Sequence, residues 1–285
     1  MKKIIALAVA SAFVAPVYAA DITITGDMEF NWKENNGATT GETDGDFNIK
    51  ASGETGNGIS VSADININEA AGNDGSSSLT LSGEFGKIDM GDTSSAVDAV
   101  DDVTDWGLEL TNGSPNNDAH ILWTLPSFVP NLAVNLSLTA DNNEGGHDNS
   151  STDLTAGSGV SAKYSFGAGT IAYGKNDYED NTSASVVSAS YSVAGVKLGY
   201  EVYTTTTSGG VDTDTDLASI VYTMGDTTVG VETKETSSAG TVSADITVVG
   251  LHQNLGGGLV AFIEQSSDDQ DATADTTAMG LAYTF

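Results

Sequence analysis

The sequence predicts an all-β fold: a transmembrane, antiparallel, up-and-down β-barrel of about sixteen strands, with one connection far longer than the rest. Three observations lead there. Apolar and polar residues alternate with period two along most of the chain, tight connections alternate with long polar ones, and an export segment precedes the first strand.

The first twenty residues, "MKKIIALAVASAFVAPVYAA", read as a secretory signal that is cleaved: Lys2 and Lys3, an apolar run from Ile4 to Val14, then small residues at the cleavage site. The barrel domain is therefore expected over residues 21–285. The apolar run is too short to span a bilayer, and no later stretch approaches the ~20 apolar residues that a spanning helix needs.

The strands follow in order. "DITITGDMEFNWK" sets Ile22, Ile24, Met28, Phe30 and Trp32 on one face, with Thr23, Thr25, Asp27, Glu29, Asn31 and Lys33 on the other. The same alternation runs through "GISVSADININ" (Ile59 to Ile67), "NLAVNLSLTA" (Val134, Leu136, Leu138) and "AMGLAYTF" (Met279, Leu281, Tyr283, Phe285). Leu198 shares the apolar parity of its own strand. Tight connections at 54–58, 84–87, 128–131, 166–169, 193–196, 224–227 and 254–258 carry Gly, Pro, Asn or Asp. Longer polar ones are read at 34–43, 70–75, 141–152, 178–183, 206–213, 237–241 and 267–274. Sixteen strands of ~10 residues fit the chain. Aromatic residues near strand ends and the export segment favour apolar-out in lipid over a soluble sandwich.

Seven lysines remain beyond the export segment against 40 acids, a formal charge of −33, and arginine is absent. That balance excludes nucleic acid as a partner and favours cations. With no cysteine, the exported chain must hold together without disulfides.

"SSAVDAVDDVTDW", residues 94–106, breaks the period-two pattern. Asp98, Asp101, Asp102 and Asp105 recur at i, i+3, i+4 and i+7, so a helix here would display them on one side and Val97, Val100 and Val103 on the other. Three histidines (His120, His147, His252) with no catalytic or zinc spacing give no basis for an enzyme. Asp212, Asp214 and Asp216, spaced by two, are candidate calcium ligands, as in the same style are Asp268, Asp269, Asp271 and Asp275. No cofactor is expected otherwise.

Taken in order, several stretches resemble the general porins of the Gram-negative outer membrane: "FNIKASGETGNGISVSADI", "LSGEFGKIDMGD", "AHILWTLPSF" and the terminal Phe285. The resemblance implies a homotrimer in outer-membrane lipid, a water-filled passive diffusion channel for ions and small hydrophilic solutes, and recognition of Phe285 by the barrel assembly machinery. It also implies that the long connection, about 92–118, folds inward as a constriction loop bearing Asp98, Asp101, Asp102, Asp105 and Glu109. The family's basic wall opposite that loop is not reproduced. The corresponding positions hold Asn48, Ser78 and Asp92, and Lys33, Lys50 and Lys87 are the nearest replacements. Cation preference is the expectation. The alternative is an exported acidic adhesin or surface-layer protein that binds calcium, its apolar faces closed into a sandwich core.

Overall fold

The computed structural model describes residues 21–68, 76–101, 103–110, 118–140, 155–271 and 274–285; the expected export segment lies outside them. Sixteen strands follow one another along the chain. The first eight are β1 (Asp21–Asn35), β2 (Ala38–Glu54), β3 (Ser60–Asn68), β4 (Ser77–Gly83), β5 (Gly86–Ser94), β6 (Asp118–Thr124), β7 (Leu132–Thr139) and β8 (Gly157–Phe166). The rest are β9 (Gly169–Tyr178), β10 (Ser183–Val193), β11 (Val196–Thr206), β12 (Asp212–Met224), β13 (Thr227–Ser238), β14 (Thr241–Gly256), β15 (Leu259–Asp268) and β16 (Thr276–Thr284). Each pairs antiparallel with its sequence neighbours, and β1 closes on β16 in register from Asp27 with Thr284 to Asn35 with Thr276.

Closure leaves no sheet edge, so every strand has two parities, one outward and one inward. Ile22, Ile24, Met28, Phe30 and Trp32 stand exposed on one parity of β1, while Asn31 on the other is buried. Ile65, Leu136, Leu198 and Leu281 are likewise exposed, and Val134 is half-buried. A single sheet closed on itself has no second sheet for these apolar faces to meet. The sandwich core of the alternative reading is thereby overturned, and the apolar parity is the lipid face.

The terminal seam is tightly made. Gly26 and Phe285 exchange both backbone hydrogen bonds, at 3.0 and 2.9 Å. The Phe285 ring meets Phe47 edge-on at 5.7 Å and lies beside Tyr283 at 5.8 Å. Tyr164, Phe166, Tyr191 and Tyr222 stand on the same outer parity next to short turns, where an interfacial aromatic belt belongs.

Two connections expected to be long are two-residue hairpins instead. Asn36 (φ 49°) and Gly37 (φ 78°) join β1 to β2, and Ala239 (φ 49°) and Gly240 (φ 76°) join β13 to β14. Both residues of each turn take positive φ, as a type I′ turn requires. The polar stretches flanking them, such as "ATTGETD", are strand that extends the hairpin. Composition shows that backbone to be wet, and wet backbone can still be strand.

The parity assignment predicts a sharp asymmetry. Ile65→Arg should cost about 2–4 kcal/mol of barrel stability, whereas Asn66→Arg, one residue along on the inner parity, should cost about 1 kcal/mol or less. Denaturant unfolding in lipid bilayers measures both, and equal costs would contradict the assignment.

Candidate functional site

The segment between β5 and β6 is laid against the polar parity of the barrel wall. It opens with a single helical turn: Ala99 N–H donates to Ser95 O at 3.0 Å, Val100 N–H donates to Val97 O at 3.0 Å, and Ser95 Oγ accepts from Asp98 N–H at 3.3 Å. The helix expected across 94–106 goes no further. Its valines and threonine are β-branched, and wall side chains capture its polar groups. Val97 and Val100 are fully buried and pack with Ala172 of β9, Ala184 and Val186 of β10 and Tyr203 of β11.

Five glycines on the inner parity make the seat. A methyl carbon at Gly159 would lie 3.1 Å from the Ala96 Cβ, and one at Gly174 3.0 Å from both Val97 Cα and Val100 Cγ2. At Gly199 it would lie 2.5 Å from the Val103 carbonyl oxygen, and at Gly230 2.5 Å from the Trp106 ring. At Gly250 the same ring would be 2.9 Å away. Trp106 thus rests on two glycines and stacks on His252, ring centroids 5.1 Å apart.

Polar residues two positions beyond these glycines, or on the next strand, tether the segment. Ser95 Oγ accepts from Asn176 Nδ2 at 2.8 Å, and Ala96 N–H donates to Ser137 Oγ at 2.9 Å. Ser188 Oγ donates to the Val100 carbonyl at 2.6 Å. Glu201 Oε2 is 3.4 Å from Val103 N. Glu264, which is 1% exposed, takes the backbone N–H groups of Leu108 (2.7 Å), Glu109 (3.0 Å) and Leu110 (2.6 Å), with His252 Nε2 2.7 Å away. Three successive N–H groups converging on one carboxylate form an anion-holding concavity, and such charge-assisted bonds are roughly twice as strong as neutral ones.

The acidic row expected from the sequence is divided by this seating. Asp98 is half-buried, Asp105 is exposed, Asp101 is buried at 7%, and Asp102 lies outside the described residues. Glu109 reaches β1, where it pairs with Lys33 and accepts from Asn31 Nδ2 at 2.8 Å. Lys33 also binds Glu42 at 2.9 Å. Two residues from separate candidate groups, one on the loop and one on the wall, are therefore a contact pair. Lys87 is paired with Asp89 at 2.9 Å. Lys50 lies opposite Asp64 on β3, Asn48 opposite Asn66, and Ser78 opposite Gly91 on β5, all on the inner parity.

The candidate calcium ligands Asp212, Asp214 and Asp216 take a different arrangement. They stand on the outer parity of β12, and each accepts a hydroxyl from β11: Thr206 at 2.8 Å, Thr204 at 2.8 Å and Tyr200 at 2.9 Å. They do not converge on one point. Asp268 accepts from Asp245 N–H at 3.2 Å and from Gln270 N–H at 2.9 Å, as a loop-closing residue.

The sequence reading missed the residues that hold the segment. Glu201 and Glu264, both buried, are acids at inner-parity positions of β11 and β15. A signal was present: "GVS", "GKN", "GYE", "GVE" and "GLH" repeat a glycine and a polar residue two apart, on one face of five strands.

A closed, lipid-facing barrel with a segment bound to its polar wall defines an outer-membrane channel protein. The sequence matches the Gram-negative porin family over residues 6–278, and the chain belongs to that family. No curated relative matches it. Among solved structures, a porin refined at 1.8 Å is 20% identical with a TM-score of 0.74, covering 93% of this chain and 100% of that one. The anion-selective porin from Comamonas acidovorans is 14% identical, TM-score 0.72, covering 93% and 100%. OmpT of Vibrio cholerae, folded in vitro and in trimer form, is 11% identical, TM-score 0.72, covering 94% and 100%. At these identities the likeness is one of fold.

The tether at Glu264 makes a local prediction. Glu264→Gln leaves one accepting oxygen and no charge where three N–H groups point, and a hydrogen bond to a charged group is worth about 1.5–3 kcal/mol. Amide exchange at Leu108–Leu110, followed by mass spectrometry in detergent, should quicken at least about tenfold. Exchange at Val103 should hold steady.

Proposed function

We propose that this porin is a water-filled passive diffusion channel for ions and small hydrophilic solutes, narrowed by segment 95–110 and favouring small cations. The supporting observation is the reach of that segment. It is bonded to β7 at Ala96 and to β1 at Glu109. Between those ends its partners are Asn176 of β9, Ser188 of β10, Glu201 of β11, His252 of β14 and Glu264 of β15, all at inner-parity positions, which supports a course through the lumen.

Charge supports the cation preference. Asp105 is exposed and Asp98 half-buried, while the wall cations Lys33 and Lys87 are already paired with carboxylates. The Comamonas protein shows that the same fold also serves anions, so the sign must come from side chains. By analogy with the OmpT trimer, we read the functional unit as a homotrimer that works without a cofactor. Phe285, fixed at the seam between Gly26 and Phe47, is read as the signal for barrel assembly.

Reversal potentials in planar bilayers test the filter. The double variant Asp98→Asn, Asp105→Asn should lower the cation-to-anion permeability ratio about two- to threefold in dilute salt, where screening lengths reach ~30 Å, and hardly at all at ~1 M. An anion-favouring native channel, or a ratio indifferent to both changes, would sink the proposal. Separately, deleting Phe285 should reduce the amount of folded protein in the outer membrane and leave single-channel conductance unchanged. Normal insertion would argue against the assembly role.

A further inference from the structure

Four of the six inner-parity lysines lie at one end of the barrel. Lys87 and Lys197 are the second residues of β5 and β11, just past short turns, and Lys163 and Lys50 stand three and four residues before the last residues of β8 and β2, which short turns follow. These strands are every third one around the wall. The short turns mark the periplasmic end.

The register shows that the four form a level collar. The hydrogen-bonded row from Lys50 passes through Asp64 and Ser78 to Gly91, four residues above Lys87. The row from Lys87 passes through Thr124 and Asn135 to Ser161, two residues above Lys163. The row from Lys163 passes through Ala172 and Ser188 to Glu201, four residues above Lys197. Hydrogen-bonded rows climb because strands tilt by about 35–45°, so a level line must drop about three to four residues every three strands. Steps of four, two and four match that drop. The turns themselves descend in the same sense.

Charge is therefore distributed unevenly along the axis. At the periplasmic rim the four lysines stand among Asp21, Glu54, Glu84 and Asp226, with Asp64 opposite Lys50 and Asp89 paired with Lys87, so much of the acid there is offset. Lys50, Lys163 and Lys197 have no ion-pair partner among the described residues. At the opposite end Glu42 and Asp177 occupy Lys33 and Lys175, and the connections there add acids such as Asp180, Asp269 and Asp271 without further lysines.

We propose that this collar makes the channel an electrostatic rectifier, passing cations inward more readily than outward. The inference rests on the channel reading above. In a pore whose outer part is strongly negative and whose inner rim is much less so, an extracellular-positive voltage drives cations from the cation-rich acidic mouth into the interior faster than they leave through the rim, and anions enter from the periplasm to match them. Carriers accumulate and conductance rises. The reverse voltage depletes them. A potential difference of about one kT between the mouths, small against the several kT that protein surfaces sustain, changes cation enrichment about 2.7-fold.

The test uses the full-length protein inserted in one orientation in planar bilayers. In dilute salt, current at extracellular-positive voltage should exceed that at the opposite voltage about twofold, and the ratio should return to about 1 in ~1 M salt, where screening falls to ~3 Å. The triple variant Lys50→Gln, Lys163→Gln, Lys197→Gln should bring the dilute-salt ratio toward 1, and the Lys→Glu triple should bring it there or invert it. Lys175→Gln, on the lipid parity, should keep the native ratio. Symmetric native current in a conducting, cation-preferring channel would overturn the rectifier alone, as would a triple variant that rectifies like the native protein. Folded protein with no current at all would overturn the channel reading, and the rectifier with it.

Discussion

The structure depends first on the seam between β1 and β16. Hydrocarbon offers no partner for an unpaired N–H or C=O, so a sheet can stand in lipid only if its last strand bonds to its first. Closure from Asp27–Thr284 to Asn35–Thr276 meets that requirement. Gly26 matters at the end of the seam because its Cβ would come within 2.5 Å of the Asp46 carbonyl and 2.8 Å of the Phe285 ring. Once the ring is closed, the period-two pattern is forced to sort itself, with apolar residues toward lipid and polar residues toward the lumen.

That sorting creates a difficulty for the β5–β6 connection, since a polar wall is a poor bed for Val97, Val100 and Trp106. The chain meets it by locally reversing the rule. Ala172, Ala184 and Val186 place an apolar patch on the inner parity, and glycines remove side chains where the segment must approach the wall backbone. The glycine and polar pairs then divide the work: Gly174 admits the valines while Asn176 holds Ser95, and Gly250 admits the indole while His252 stacks beneath it. Each pair weakens its strand's own packing slightly in exchange for fixing a loop.

The architecture was legible because it rests on periodicity. Alternation in β1, β3, β7 and β16 and punctuation at the short turns gave sixteen strands with apolar faces outward, and the acidic segment stood out because it broke the period. Its internal arrangement was less legible. Helical spacing placed the valines on the opposite side from Asp98 and Asp105, and the structure keeps that division. It could not show that Asp101 would be buried, or that Lys33 would find Glu109, because those contacts join residues far apart in sequence. Tall hairpins read as loops in the sequence because Thr, Ser, Asp and Glu look alike in either setting when both sides of the backbone are wet.

The buried glutamates also change how the charge of this chain should be counted. Glu264 is enclosed by three N–H groups and an imidazole, Glu201 by the segment above it, and Glu109 by Lys33 and Asn31. A charge neutralised by fixed dipoles at close range contributes little to the field a passing ion meets, whereas an exposed one acts over a screening length. Of the 40 acids, those inside the wall therefore work as fasteners. In the proposed channel, the charges left for an ion to meet are Asp98, Asp105, the mouth carboxylates and the unpaired lysines of the inner rim. On that proposal, selectivity would be set by the few charges left over after the loop has been tied down, and net charge alone does not reveal which those are.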